Sequence, residues 1–256
     1  MHLLTTTSTS LDEIADAVDL GQPAGDIAVL SFADSDLAAL SAAWEVEREF
    51  LPSVRLAHLR ELRHPLSVDL WIERVGAHAR VIVVRLLGGL EWWKYGIERL
   101  SALARERAIV LAVLPGEDRD DTRLAAASTL PDHELGTLLQ YFREGGSENL
   151  RRLLRRLARY AGRDLAVEPS QPVPQCAGYW PGQGALDLQR LIEVLSLSPA
   201  ERGGARGGNR APPLSGGAKI VPIIFYRAML LAADTAPVDA LCAALSARGL
   251  APAPLV

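Results

Sequence analysis

A chain of 256 residues, 49% hydrophobic and 23% charged, has the make-up of a soluble globular protein with room for one large domain, or one domain and part of another. Its net charge of −4 argues against a nucleic-acid partner, which usually calls for a basic surface. The start "MHLLTTTSTSLDEI" has neither a basic segment nor a long apolar core, and "IVPIIFY" is interrupted by Arg227, so neither a signal peptide nor a membrane span is expected. Cys176 and Cys242 lack metal-ligand spacing and fit a reduced, cytoplasmic setting.

In chain order, "MHLLTTT", "DIAVLSF", "SVRLAHL", "RVIVVRL" and "AIVLAVLPG" are short runs rich in Val, Ile and Leu, too brief for ordinary helices. Between them "SDLAALSAAWEVEREF", "HPLSVDLWIERVGAHA" and "EWWKYGIERLSALARER" repeat apolar residues at helical spacing, with Pro65 suited to a first helical turn. Near-continuous apolar strands alternating with helices predict an α/β fold over residues 1–116. The expected form is a doubly wound, mostly parallel five-stranded sheet covered on both faces.

Residues 117–195 read as a helical extension, interrupted by an irregular Pro/Gly-rich loop from Glu168 to Ala185. The Gly/Pro/Arg-rich stretch from Pro199 to Gly217 reads as a flexible linker. After it, "KIVPIIFYRAML", "TAPVDALCAALSARG" and "LAPAPLV" predict strand, helix and strand, with Thr235 as N-cap, Pro237 in the first turn and Asp239 near the positive helix end. The expected division is therefore a head domain over 1–198, a linker over 199–217 and the start of a second α/β domain over 218–256. Two strands and one helix do not cover their own apolar faces, so the sequence reads as an N-terminal fragment of a longer protein.

No phosphate-binding Gly-Lys-Ser loop, Gly-x-Ser-x-Gly elbow or His-Glu-x-x-His pair is present. The most pointed stretch is "RLLGGLEWWKYG". Gly88 and Gly89 fall at the carboxyl end of a predicted strand, where open α/β sheets bind ligands, and Glu91, Trp92, Trp93 and Tyr95 follow at once. Their aromatic faces suit a planar macrocycle; the alternative is a tight strand-to-helix turn with the tryptophans packed on a neighbouring domain. Arg227 leaves a later strand at the same kind of edge and suits either an anionic group or a salt bridge at a domain edge.

Asp34 or Ser35 is read as a helix N-cap, in preference to a cation site formed by Asp34 and Asp36. His2, His58, His64, His78 and His133 have no shared ligand spacing and are read as structural. The basic run "RRLLRRLARYAGR", Arg151 to Arg163, is read as a solvated helix face, or else as a docking surface for an acidic partner.

Taken together and in order, "MHLLTTT", "DIAVLSFADSDLAAL", "LRHPLSVDLWIERV", "RVIVVRLLGGLEWWKYGIERL" and "VPIIFYRAMLLAADTAPVDALCAALSARGL" resemble the large (CobN) subunit family of aerobic cobaltochelatase, relatives of the magnesium chelatase large subunit. The resemblance implies a subunit several times longer than this chain. It would bind hydrogenobyrinic acid a,c-diamide, a corrin precursor, and insert Co²⁺ in cobalamin biosynthesis. ATP and Mg²⁺ would be handled by partner AAA+ subunits of the CobS and CobT type, and the other partner would be the remainder of the large subunit. No metal-inserting residue of the family matches a position here, so the fragment alone is expected to be inactive. The alternatives are a non-catalytic docking module, using Arg151–Arg163 and the Trp92/Trp93 surface, and a flavodoxin-like ligand-binding domain.

Overall fold

The structure is a computed structural model and describes residues 16–117, 121–174, 176–196 and 219–256. The chain divides into two compact units, the first comprising Met1–Leu37, Arg48–Leu139 and Arg155–Ala166, and the second Ala38–Glu47, Gln140–Leu154 and Val167–Val256.

The first unit is built on β1 (Ile27–Ser31), β2 (Val54–His58), β3 (Val81–Leu86) and β4 (Val110–Pro115), all parallel in the order β2-β1-β3-β4. Ile27 stands opposite both Val54 and Val81, and Val81 opposite Val110. All five residues of β1 are buried, as expected of a strand covered on both faces. The connecting helices are α1 (Asp34–Glu47), α2 (Pro65–Arg74) and α3 (Lys94–Arg107); α4 (Thr122–Ala127) follows the last strand. Ala28, Leu30, Ile82, Val84, Leu111 and Val113 pack with Trp71, Trp93, Ile97 and Leu100 in one core cluster. The α/β class is as read from the sequence. The fifth expected strand, "MHLLTTT", lies outside the described residues.

Local chemistry sets the helix ends. Pro65 occupies the first turn of α2, and His64 caps it, its Nδ1 accepting the Leu66 N–H at 3.1 Å. His58 does the same for the short 3-10 turn Leu59–Leu62. The expected cap of α1 by Asp34 or Ser35 is corrected: the N-cap is Ala33, with no side-chain capping bond. Asp36 has another task, described below.

Helix α5 (Asp132–Glu144) is followed by α6 (Gly146–Tyr160), which carries most of the basic run, and the run is largely consumed by internal pairing. Arg151 meets Glu47 at 2.6 Å, Arg152 meets Glu168 at 2.8 Å, and Arg156 meets Glu134 at 2.5 Å. Glu47 is buried, so its charge requires such a partner. Arg159 and Arg163 are exposed. Neither a wholly solvated face nor an open basic docking surface describes the helix.

The second unit contains β5 (Gly178–Trp180), β6 (Gly184–Leu186), α7 (Leu188–Ser196), β7 (Ile220–Ile224), α8 (Arg227–Leu231), α9 (Ala236–Ser246) and β8 (Ala251–Leu255). The sheet order is β6-β5-β8-β7; β5 is antiparallel to both neighbours, and β7 and β8 are parallel. On one face Tyr179, Ile223, Val238 and Cys242 form a core; on the other, Leu191 and Leu195 of α7 cover Ala251 and Ala253. Thr235 stands at the N-cap of α9 as read, but makes no side-chain capping bond; its hydroxyl lies 2.9 Å from that of Tyr179, which also donates to Asp239 at 2.7 Å.

The structure differs from the sequence reading here in two respects. The stretch Glu168–Ala185 is not irregular throughout, because Gly182 and Gly184, both with positive φ, turn β5 back as a hairpin with β6. Residues 178–196, expected with the head domain, share a sheet with residues 219–256 through β5 and β8. The expected linker 199–217 lies outside the described residues.

Candidate functional site

The carboxyl ends of β3 and β4 carry the loop singled out in the sequence. Gly88 and Gly89 have φ of 81° and 84°, a region that favours glycine. A Cβ on Gly88 would fall 2.4 Å from Nε1 of Trp92, so the indole lies directly against this backbone. Gly88 N–H donates to Glu117 Oε1 at 3.2 Å. Gly88, Gly89, Glu117, Asp121 and Arg123 line an open crevice of about 400 Å³. Arg123 reaches Glu91 at 3.5 Å and Asp121 at 3.6 Å.

The adjacent tryptophans point to different fates. Trp92 is 67% exposed, whereas Trp93 is 5% exposed and belongs to the unit's own core. The indole of Trp93 donates to Leu62 O at 2.7 Å. A Cβ on Gly96 would fall 2.2 Å from that ring, so the helix carries glycine where the indole presses against it. Trp93 is therefore not a stacking surface for a ligand, and its packing partner is its own unit, not a neighbouring domain. Tyr95 donates to Asp69 Oδ2 at 2.8 Å, and Arg99 holds the other oxygen of the same carboxylate at 3.0 Å. The bond to Asp69 raises the Tyr95 phenol pKa. Of the loop's aromatic residues, Trp92 alone offers a largely free face.

Beside this loop, where the strand order reverses between β1 and β3, a second arrangement appears. Arg85 at the end of β3 meets Asp36 at 2.5 Å; their side chains are only 14% and 12% exposed. Ser31 Oγ donates to the other Asp36 oxygen at 2.8 Å and accepts the Ala33 N–H at 3.0 Å. Arg85 also donates to Gly116 O at 3.3 Å. This is the position at which open α/β sheets commonly bind ligands, and here the chain's own ion pair occupies it. Asp34 faces away to His58 and Arg60, each at 3.4 Å, so Asp34 and Asp36 do not act together. Among the described residues, no group of three or more His, Cys, Asp or Glu side chains is placed to hold a metal ion. A single charge inside the apolar strand "VIVVRL" was the available signal for this pair, since a buried arginine demands a partner.

Arg227 belongs to the second unit and binds protein backbone. Its Nη2 donates to Val173 O at 2.8 Å and its Nε to Pro174 O at 3.2 Å. It completes a strap over residues 168–174. Tyr141 donates to Glu168 O at 2.5 Å, and Arg152 to Pro169 O at 2.9 Å. Asn149 accepts the Gln171 N–H and donates to Gln171 O, both at 2.8 Å, and Glu144 accepts the Val173 N–H at 3.2 Å. Neither a ligand anion nor a domain-edge salt bridge is needed to account for Arg227.

The parallel sheet with its covered faces and loop-built carboxyl edge defines a doubly wound α/β unit. The solved catalytic subunit of cobaltochelatase from Mycobacterium tuberculosis aligns over 91% of this chain and 16% of its own, with TM-score 0.63 and 22% identity, a likeness of fold. The family CobN/Magnesium Chelatase matches residues 139–256. Aerobic cobaltochelatase subunit CobN from a Sinorhizobium species is 36% identical over 255 residues, and that from Pseudomonas aeruginosa is 36% identical over 256. The chain belongs to the CobN/magnesium chelatase family. It is matched over its whole length but spans only 19% of these two relatives. Among the described residues no helix is long and apolar enough to cross a membrane.

Proposed function

We propose that this chain is a segment of a cobaltochelatase large subunit, a ligase that forms nitrogen–metal bonds in cobalamin biosynthesis. The substrate is hydrogenobyrinic acid a,c-diamide and the inserted ion is Co²⁺. ATP is hydrolysed by separate AAA+ subunits of the CobS and CobT type, and the assembly works in the cytoplasm. The observation that carries the reading is the 36% identity to two CobN subunits along the full chain.

Within that protein the segment serves as a docking and positioning head, and the metal is inserted elsewhere in the subunit. The ion pair of Asp36 and Arg85 at the strand-order reversal and the burial of Trp93 favour this over a corrin site within the first sheet. The surface left for a partner or for the rim of the macrocycle is Trp92 with Glu91, Gly88 and Gly89. The test is cobalt insertion followed by the absorbance of the corrin precursor. The complete large subunit carrying this segment, with its AAA+ partners and ATP, is expected to insert cobalt, and the 256-residue chain alone is not. Failure of the complete assembly overturns the assignment; insertion by the chain alone overturns the division of labour.

A further inference from the structure

We infer that the uncovered face of β7 in the second unit is the seat of an amphipathic helix from the same large-subunit polypeptide, outside these 256 residues. The inference rests on the assignment to a chelatase large subunit.

Side chains alternate along β7. Ile223 points into the core with Val238 and Cys242. Ile220 and Ile224 point the other way and are 62% and 84% exposed, with Pro222 exposed between them and Tyr226 beyond at 82%. The neighbouring row of the same face is covered: Ile220 stands opposite Ala251 and Pro222 opposite Ala253, and both alanines are buried under Leu191 and Leu195 of α7. Among the described residues, α7 covers the β8 row, while Ile220, Pro222 and Ile224 in the β7 row beside it are exposed. Parallel strands of this kind are ordinarily covered on both faces by helices.

The open edge of β7 does not invite another strand. Lys219 O and Phe225 N–H bond to β8. By alternation the main-chain groups of Ile220, Pro222 and Ile224 face outward, and Pro222 has no N–H to give. A proline in this position is a known guard of edge strands. What remains on offer is the apolar face, and the adjoining row of that face is already covered by a helix, α7.

The source of that helix follows from size and composition. Residues 197–218, the connection between α7 and β7, are rich in Gly, Pro and Arg, with Leu197 and Leu214 as their only large aliphatic residues. Two large aliphatic residues in that stretch fall short of the apolar periodicity that an amphipathic helix needs. A second copy of the chain is a poor fit as well. A stable interface between separate molecules engages on the order of 20–30 residues a side, whereas this row offers a handful. A tethered segment needs far less area, because its effective concentration is set by the linking chain. The relatives have polypeptide to spare, since this chain spans 19% of their length.

The experiment places a photo-cross-linker at the most exposed residue, Ile224→p-benzoylphenylalanine, in the complete large subunit. Irradiation, proteolysis and mass spectrometry then identify what touches it. The expected product joins position 224 to one peptide of the same polypeptide, outside these 256 residues, with apolar residues every three to four positions. A cross-link to a second copy or to a separate subunit, or none in a folded subunit, overturns the inference. As an independent readout, Ile220→Lys with Ile224→Lys should leave the thermal midpoint of the 256-residue chain unchanged and lower that of the complete subunit; no change in the complete subunit also overturns it. Cobalt insertion measured on the same samples separates the two ideas. An inactive subunit that still gives the cross-link refutes the chelatase assignment alone, and an active one without it refutes the docking alone.

Discussion

Arg85 and Asp36 meet at 2.5 Å where the first sheet reverses its strand order, with both side chains almost wholly withdrawn from solvent. Each neutralises a charge that the other would leave stranded in the protein interior. Removal of one partner is therefore more harmful than removal of both. Arg85→Met or Asp36→Asn alone should cost about 3–5 kcal/mol, whereas the double variant should recover a good part of the loss. Urea unfolding of the three variants checks this; additive losses would contradict it.

The two tryptophans should respond oppositely. Trp93→Ala empties a core position and should cost about 3–5 kcal/mol. Trp92→Ala removes an exposed side chain and should change stability by less than about 0.5 kcal/mol. Thermal melts read both directly. The Trp92 variant then becomes the informative one for partner or corrin binding, since any loss of affinity is not a loss of fold.

Acid should weaken the first unit through Glu134. Its hydrogen bond from Tyr160, followed by that from Arg156, holds the carboxyl below its ordinary value of 4.5. Because the folded value is depressed, the stabilisation is fully present above that ordinary value and drains away as pH falls through the folded one. Unfolding midpoints should decline on acidification from pH about 5, and Glu134→Gln should flatten part of that decline.

The two thiols should be distinguishable without mutation. Cys242 is buried, and burial together with the nearby Asp239 pushes its thiol up to about 11, while Cys176 is exposed. Titration with a thiol reagent at pH about 8 should find one reactive group in the native protein. The second should appear only on addition of denaturant.

The strap offers a last test. Asn149 is 3% exposed and satisfies both main-chain groups of Gln171, so Asn149→Ala should cost about 1–3 kcal/mol. Limited proteolysis should then cut within residues 168–174 earlier than in the unaltered chain.

The parallel sheet was legible because β1, β3 and β4 are short runs dominated by Val, Ile, Leu and Ala, and α2 because Pro65 marks its first turn. The β5–β6 hairpin was not legible, since three-residue strands carry no periodicity to detect. Trp92 and Trp93 sit in a single 3-10 turn, Leu90–Trp93, too short for a pattern that separates inside from outside. The basic run looked free because, apart from Glu148 on the same helix, its partners are remote: Glu47 lies 104 positions from Arg151. Charges that meet across such distances leave no local mark.

The strap over residues 168–174 is gripped by its carbonyls and amides, groups that every non-proline residue possesses. Apart from the Arg152–Glu168 ion pair, its holders recognise a path and not a spelling. Sequence drift is thereby asymmetric: Ser170 and Gln171 are free to change, while Asn149, Tyr141 and Arg152 are pinned by duties to atoms that never mutate. Among homologous subunits the segment would look like a variable loop, although it is a fixed part of the architecture.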